Sequence, residues 1–424
     1  MSSTLAPDSA TAAAVAAADA TAARARLALP PGTTTGMPVE GLVVPDLPLA
    51  GAGPTWVRHL ADWGANIIRV QPPDDENEEI IGRRDGSDYQ NLHRNKRVIS
   101  LDLKSADGHA AFLELVRSAD VVVENMRVQV KHRLKISWEE MKAVNPRLVY
   151  GSISGFGQTG PYAHRPGVDQ IAQGMSGLMS VTGAPGSGPN RAGIAVSDVT
   201  AGNLLALAIM IAVYEREKTG VGRWVHTSLL ESQVFMLDFQ ATRYLVNKEV
   251  PQQVGNDHPT AVPMGVFETS DGHINIGASS SGLWKRLCES MEKPEWLTDP
   301  KWTTQRARAG DREALHNAIR EVTRTQSTAF WVDKLDKAGI PAGPIYSIDQ
   351  VSQDPQVQHL GIAAPIRHPK FGDTHLVGSP LNVDGVAKKI RSAAPVTGVH
   401  TDEVLSAVGY TPEALAAMRA KKAI

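Results

Sequence analysis

Apolar positions along the first third of the chain come in short, nearly unbroken runs separated by amphipathic stretches. Residues 41–47 (GLVVPDL) carry no polar face, which is the pattern of a strand covered on both sides. A small-residue turn over 49–53 leads into a helical pattern over 55–63, and 65–71 reads as a second strand. Strand, helix, strand in this order predicts a parallel pair. Further strands are predicted at 98–103, 119–124 and 148–153. Ser105 is placed to cap one intervening helix, and Ser137-Trp138-Glu139-Glu140 forms a capping box that opens another. A long apolar helix is predicted to begin at Asp198, run to about Lys218 and stop at Gly220.

From about residue 225 the pattern changes. Residues 267–278 read as a hairpin turning at Asp271-Gly272, and helical segments follow to Ala338. Gly339-Ile340-Pro341-Ala342-Gly343-Pro344 reads as a hinge. The expected fold is α/β. A large open parallel-sheet, Rossmann-like domain takes residues 38–224, a smaller α+β domain takes 225–344, and 345–424 return to the large domain. Residues 1–37, Ala-rich and without aromatics, are expected to form a flexible tail.

A glycine turn between strand and helix is how a dinucleotide fold opens, but the fingerprint fails here. Gly51 and Gly53 fit, whereas Trp56 stands at the third glycine position and Pro54 removes a backbone N–H. Gln71 stands where an acid would hold the ribose.

Charge excludes more than it suggests. The 43 Lys and Arg against 45 Asp and Glu give a net charge of -2, so no bulk basic field would attract nucleic acid or acidic lipid. The longest apolar run, 204–213, is half of the roughly 20 residues a bilayer crossing needs, so no membrane span is expected. A single cysteine, Cys288, rules out an internal disulfide and any Cys-rich metal site. It lies on an amphipathic helical pattern and is expected to be a buried structural thiol. This cysteine usage fits a reducing cytoplasm. His226, in an apolar strand, is expected in the core. No His pair has metal-ligand spacing, so no metal is expected.

Several blocks, taken in order, resemble one family. They are Ala52-Gly53-Pro54, Asn95-Lys96-Arg97, Ser100-Leu101-Asp102-Leu103-Lys104, Val123-Glu124-Asn125, the loop 151–161 (GSISGFGQTGP), Lys218-Thr219-Gly220 and His400-Thr401-Asp402-Glu403-Val404-Leu405. From about residue 39 to the end the chain resembles the class III CoA-transferases, the CaiB/BaiF family. The resemblance implies two interlocked chains forming an obligate homodimer. It implies acyl-CoA and a small carboxylic acid as substrates, with no permanently bound cofactor.

The resemblance also implies residue roles. Asp198 becomes the carboxylate that attacks the thioester; by itself the residue reads first as a helix N-cap. Asp169 becomes a second active-site carboxylate, which positions the acyl group or a water; the plain alternative is a loop aspartate bonded to its own backbone. CoA contacts carry over to Gly51, Ala52, Leu101, Lys104, Asn125, Met126, Arg127, Arg133, Pro166, Gly167 and Val168. Lys104 and Arg133 suit the anionic phosphates of CoA, or are simply solvated surface charges.

Two departures limit the transfer. Pro72 stands where formyl-CoA transferase has a CoA-binding arginine. Gly255-Asn256-Asp257-His258 replaces its run of lid glycines, so formate is a doubtful acceptor; family frequency alone points to succinyl-CoA and short dicarboxylates. His258 is a substrate contact or a surface turn residue. Two other functions stay open: a 2-methylacyl-CoA racemase, and an inactive CoA-binding homologue. The racemases pair their aspartate with a histidine at the position that Val168 holds here, and valine cannot carry a proton.

Overall fold

Five buried strands and a half-exposed edge strand build one parallel sheet: β1 (Val43–Asp46), β2 (Asn66–Gln71), β3 (Lys96–Ser100), β4 (Val121–Glu124), β5 (Val149–Ser154) and, at the edge, β6 (Trp224–Ser228). The spatial order is β3-β2-β1-β4-β5-β6, and every pair is parallel. This is the doubly wound order, which reverses between β1 and β4 and opens a crevice at their carboxyl ends. The computed structural model describes residues 21–47, 52–73 and 86–424.

Both faces of the sheet are apolar, so neighbouring strand residues go to opposite cores. Val43, Ile68, Val70, Ile99, Val122 and Tyr150 pack with Phe112 and Leu115 of α3 (Ala106–Arg117) and Met141 of α5 (Trp138–Val144). Val44, Ile67, Val121, Val123 and Val149 pack with Trp56, Val57 and Leu60 of α1 (Ala52–Asp62) and with Leu205 and Ile209 of α7 (Val196–Thr219). Between these lie α2 (Ser87–His93), α4 (Val128–Arg133) and α6 (Asp169–Met175). Both predicted caps form: the Ser105 hydroxyl accepts from Gly108 N–H, and Ser137 and Glu140 close the capping box. Gly220 ends α7 at φ 73°, as a C-terminal glycine should. The 24-residue α7 is long and apolar enough to cross a membrane, yet one face of it is core of this sheet.

The edge strand β3 would expose unpaired backbone, and the C-terminal block covers it. His400 N–H donates to Val98 O, Val98 N–H donates to His400 Nδ1, and Ser100 N–H donates to Thr401 Oγ1. Arg97 reaches Glu403 at 2.7 Å.

Four expectations change. The first concerns the tail: residues 21–27 are helical, and Leu27 is fully buried in the core of the large unit. Leu27 O accepts from Arg97 and Asn66, and Arg24 pairs with Asp120, so 21–37 are not free; residues 1–20 lie outside the described residues. The second concerns the domain limits. The chain divides into one compact unit of residues 1–178, 192–242 and 360–424 and a second of 179–191 and 243–359. Residues 225–242 stay with the first because β6 is a strand of the large sheet and α8 (Leu229–Met236) packs on α6 and α7. The third concerns the hinge: Ala342–Pro344 is strand β9, not a hinge, because it pairs with β8 (His273–Gly277). The fourth is His226, which is exposed on the edge strand β6 rather than buried.

The second unit pairs β7 (Met264–Glu268) with β8 (His273–Gly277) as the predicted hairpin, and β9 adds antiparallel to β8. Over it pack α9 (Ser281–Ser290), α10 (Arg312–Thr323) and α11 (Thr328–Lys337) through Trp284, Leu287, Leu315, Ile319, Trp331 and Leu335. Cys288 is buried in this core, and burial pushes its thiol up to about 12, so it stays an inert thiol.

Candidate active site

The site begins where β4 ends. The buried carboxylate of Glu124 accepts Met126 N–H at 2.7 Å through one oxygen and Lys131 Nζ at 3.0 Å through the other. Lys131, on α4 and itself buried, also donates to Gln158 Oε1 at 2.6 Å. One cation therefore fastens the segment Asn125–Arg127 to the glycine loop that leaves β5. That loop crosses the next segment at backbone contact. A Cβ on Gly155 would lie 2.6 Å from Gly167 Cα, so only glycine fits. Residues 155–161 and 166–168 are brought together in this way.

Asp169 then opens α6 and is buried. Its Oδ2 accepts Gln173 Nε2 at 2.7 Å, and its Oδ1 accepts Ser197 N–H at 2.8 Å. Ser197 is the second residue of α7, and Asp198 is the third. The helix starts two residues before its predicted start, with Ala195 as N-cap and no capping side chain of its own. Asp169 satisfies an orphan N–H of that first turn from a distant helix. Asp198 is thus not the N-cap, and its half-buried carboxylate sits where the positive end of the α7 dipole favours an anion.

The sequence model of CoA-transferase family III matches residues 39–401. The chain belongs to the family III CoA-transferases. It is 35% identical to the acetyl-CoA:oxalate CoA-transferase of Acetobacter aceti over 82% of this chain and 90% of that one. It is 31% identical to the human succinyl-CoA:glutarate CoA-transferase over 88% and 86%. A solved structure of a CaiB/BaiF family protein from Brucella suis superposes with a TM-score of 0.75 at 31% identity, covering 91% of this chain and 99% of that one. The enzyme is an acyl-CoA:carboxylate CoA-transferase.

In this CoA-transferase the expected site residues fall into groups. Asn125, Met126, Arg127, Pro166, Gly167, Val168, Asp169 and Asp198 belong to the linked segments just described. Ala52 is the first residue of α1, while Gly51 lies outside the described residues. Leu101 has its side chain buried in the core with Ile99 and Phe112, so any contact it makes to CoA is through its backbone. Lys104 and Arg133 are exposed, as either reading of them requires.

Gly255, Asn256, Asp257 and His258 form a bonded loop of the second unit. Gly255, at φ 65°, donates its N–H to Gly183 O at 2.9 Å. Asp257 lies 3.2 Å from the buried His316, and Arg312 donates to the carbonyls of His258 and Pro259. His258 Nδ1 accepts the N–H groups of Thr260 and Ala261, so this nitrogen serves the turn.

Sequence reasoning passed over Lys131, Gln173 and Gln233. The spacing Asp169-x-x-x-Gln173 was a legible signal, since residues four apart share a helix face. Lys131 and Gln233 carried none, because their partners are distant in the chain. Among the described residues no group of three or more His, Cys, Asp or Glu is placed to hold a metal.

Proposed function

We propose that the enzyme moves CoA to a short-chain dicarboxylate through covalent intermediates on Asp198. The supporting observation is that Asp198 stands third in α7, half-buried at the positive end of the helix dipole, in a first turn held by the Asp169 carboxylate on Ser197 N–H. An oxygen of Asp198 attacks the thioester carbonyl carbon, the C–S bond breaks, and CoA thiolate leaves a mixed anhydride. The thiolate attacks the Asp198 side-chain carbonyl carbon and releases the donor carboxylate, giving an aspartyl-CoA thioester. The acceptor carboxylate attacks that thioester and expels the thiolate, which then takes the acceptor's acyl group and restores the aspartate. No net proton or electron is needed. Oxalate and glutarate in the names of two relatives support a dicarboxylic acceptor. Val168, 60% exposed and without an ionisable group, gives a racemase no partner beside Asp169. Incubation with acyl-CoA followed by borohydride or hydroxylamine should mark Asp198 in a peptide map. Labelling elsewhere, or none during turnover, would overturn the reading.

We also propose the interlocked homodimer. Its support is the outer face of α7 and α8, where Leu207, Ile211, Tyr214, Phe235 and Met236 stand more than half exposed in the single chain. So broad an apolar surface calls for a protein cover. Light scattering on serial dilution should give twice the chain mass until unfolding; a folded monomer on dilution would refute interlocking.

For residues 255–258 we propose that the loop shields the acyl-enzyme from water. Gly255→Pro loses the N–H bonded to Gly183 and cannot adopt φ 65°. Acyl-CoA hydrolysis should rise relative to transfer in this variant, and an unchanged ratio would reduce the segment to a surface loop.

A further inference from the structure

We infer that Gln173 is a positioning residue that holds the turn carrying the nucleophile, with Ser197 and Gln233 as its continuation. The inference rests on the proposed role of Asp198. Gln173 is completely buried on α6, and its amide bonds Asp169 on its own helix and two residues of the approach to α7. Its Nε2 donates to Asp169 Oδ2 at 2.7 Å and to Ile194 O at 3.1 Å, and its Oε1 accepts Ala192 N–H at 2.9 Å. Asp169 passes the restraint to Ser197 N–H, and the Ser197 hydroxyl donates to Gln233 Oε1 on α8 at 2.9 Å. Ser197 and Gln233 are buried as well. Residues 192, 194 and 197, three of the last six positions before Asp198, are thus bolted to two other helices by buried side chains.

A core of this kind would be cheaper in apolar residues, since buried polar groups stabilise only when every member is satisfied. What the amides supply instead is direction. They fix the first turn of α7, and with it the line along which the Asp198 carboxylate meets a thioester. Small misplacement of a nucleophile costs rate far more than binding. The charged side chain in contact with Gln173 is Asp169 on its own helix; Asp198 lies in the first turn of α7, Glu231 on α8, and Arg191 is next in sequence to Ala192.

Two variants test this. Gln173→Leu keeps the volume and removes all three bonds. It should lower kcat on the order of 100-fold with acyl-CoA KM within about threefold, and slow the labelling of Asp198 in parallel. Gln173→Glu places a second carboxyl against Asp169. Two buried carboxyls in contact share one proton, so one of them titrates high. While the proton is shared the turn is held; once it is lost, two like charges and Ile194 O repel. The kcat of this variant should therefore fall as pH rises across a range where the wild type is flat. Wild-type kcat in Gln173→Leu, or a pH profile of Gln173→Glu that parallels wild type, would overturn the inference. So would a loss of kcat matched by equal loss of CoA binding and native circular dichroism. If Gln173→Leu does not fold, the pH profile of Gln173→Glu decides. An active Asp198→Asn enzyme would instead sink the nucleophile assignment, which separates the two failures.

Discussion

Asp198→Asn should lower CoA transfer on the order of 10,000-fold or more, with the fold and CoA affinity kept. The amide has the shape of the carboxylate but cannot open the anhydride route, and no neighbouring group replaces a covalent nucleophile. Stability should be spared for a specific reason. The first turn of α7 is capped by the Asp169 carboxylate on Ser197 N–H, and that bond is untouched by the change. An N-cap aspartate would behave otherwise, since its loss typically costs about 1 kcal/mol. Asp169→Asn, by contrast, should lower the melting temperature as well as the rate, because it removes the charge from a buried cap. Initial rates of CoA exchange, isothermal CoA titration and melting curves on both variants check this. Measurable turnover by Asp198→Asn well above the uncatalysed exchange, or a larger melting loss for it than for Asp169→Asn, would contradict the assignment.

The large sheet was legible because its strands are covered on both faces. A run such as Val121-Val122-Val123 has no other use in a soluble α/β core, and local capping signals at Ser105, Ser137 and Gly220 told the truth about neighbouring helices. What failed were statements whose cause lies far along the chain. Asp198 looked like a helix start because aspartate is a favoured N-cap, but the cap on Ser197 N–H comes from Asp169, 28 residues before Ser197. Residues 179–191 join the second unit partly through the bond from Gly255 N–H to Gly183 O, which leaves no periodic trace in sequence. Ala342-Gly343-Pro344 has hinge composition and is a strand only because β8 offers it an edge. His226 sits in a strand pattern, and nothing local says that β6 is the last strand of its sheet. The family blocks divide on the same principle. Gly155 and Gly167 are where two backbones touch near the site, whereas His400 and Thr401 cover the edge of β3.

Lys131→Met should be the most destabilising single change near the site, by about 3 kcal/mol, and should also loosen the glycine loop. Lys131 is the cation that balances Glu124, which is buried to within 1% exposure. Removing it leaves a buried carboxylate with Met126 N–H as its remaining partner among the described residues, and Gln158 Oε1 loses its donor as well. Charge, rather than packing, should carry the cost. Methionine fills most of the lysine stem, and Lys131 Nζ lies 5.2 Å from the Trp224 ring, so an apolar replacement has an apolar wall to rest on. The double variant Lys131→Met, Glu124→Gln should therefore be more stable than Lys131→Met alone, because it removes the stranded charge while a side-chain oxygen still accepts Met126 N–H. The loop between Gly155 and Pro161 stays without its tether to α4 in both variants, so acyl-CoA KM should rise in both and should not recover with stability. Urea midpoints at fixed protein concentration, paired with KM for the donor, separate the two effects. If stability and KM return together in the double variant, Lys131 acts only as a counter-charge, and the tether to Gln158 has no part in holding the substrate loop.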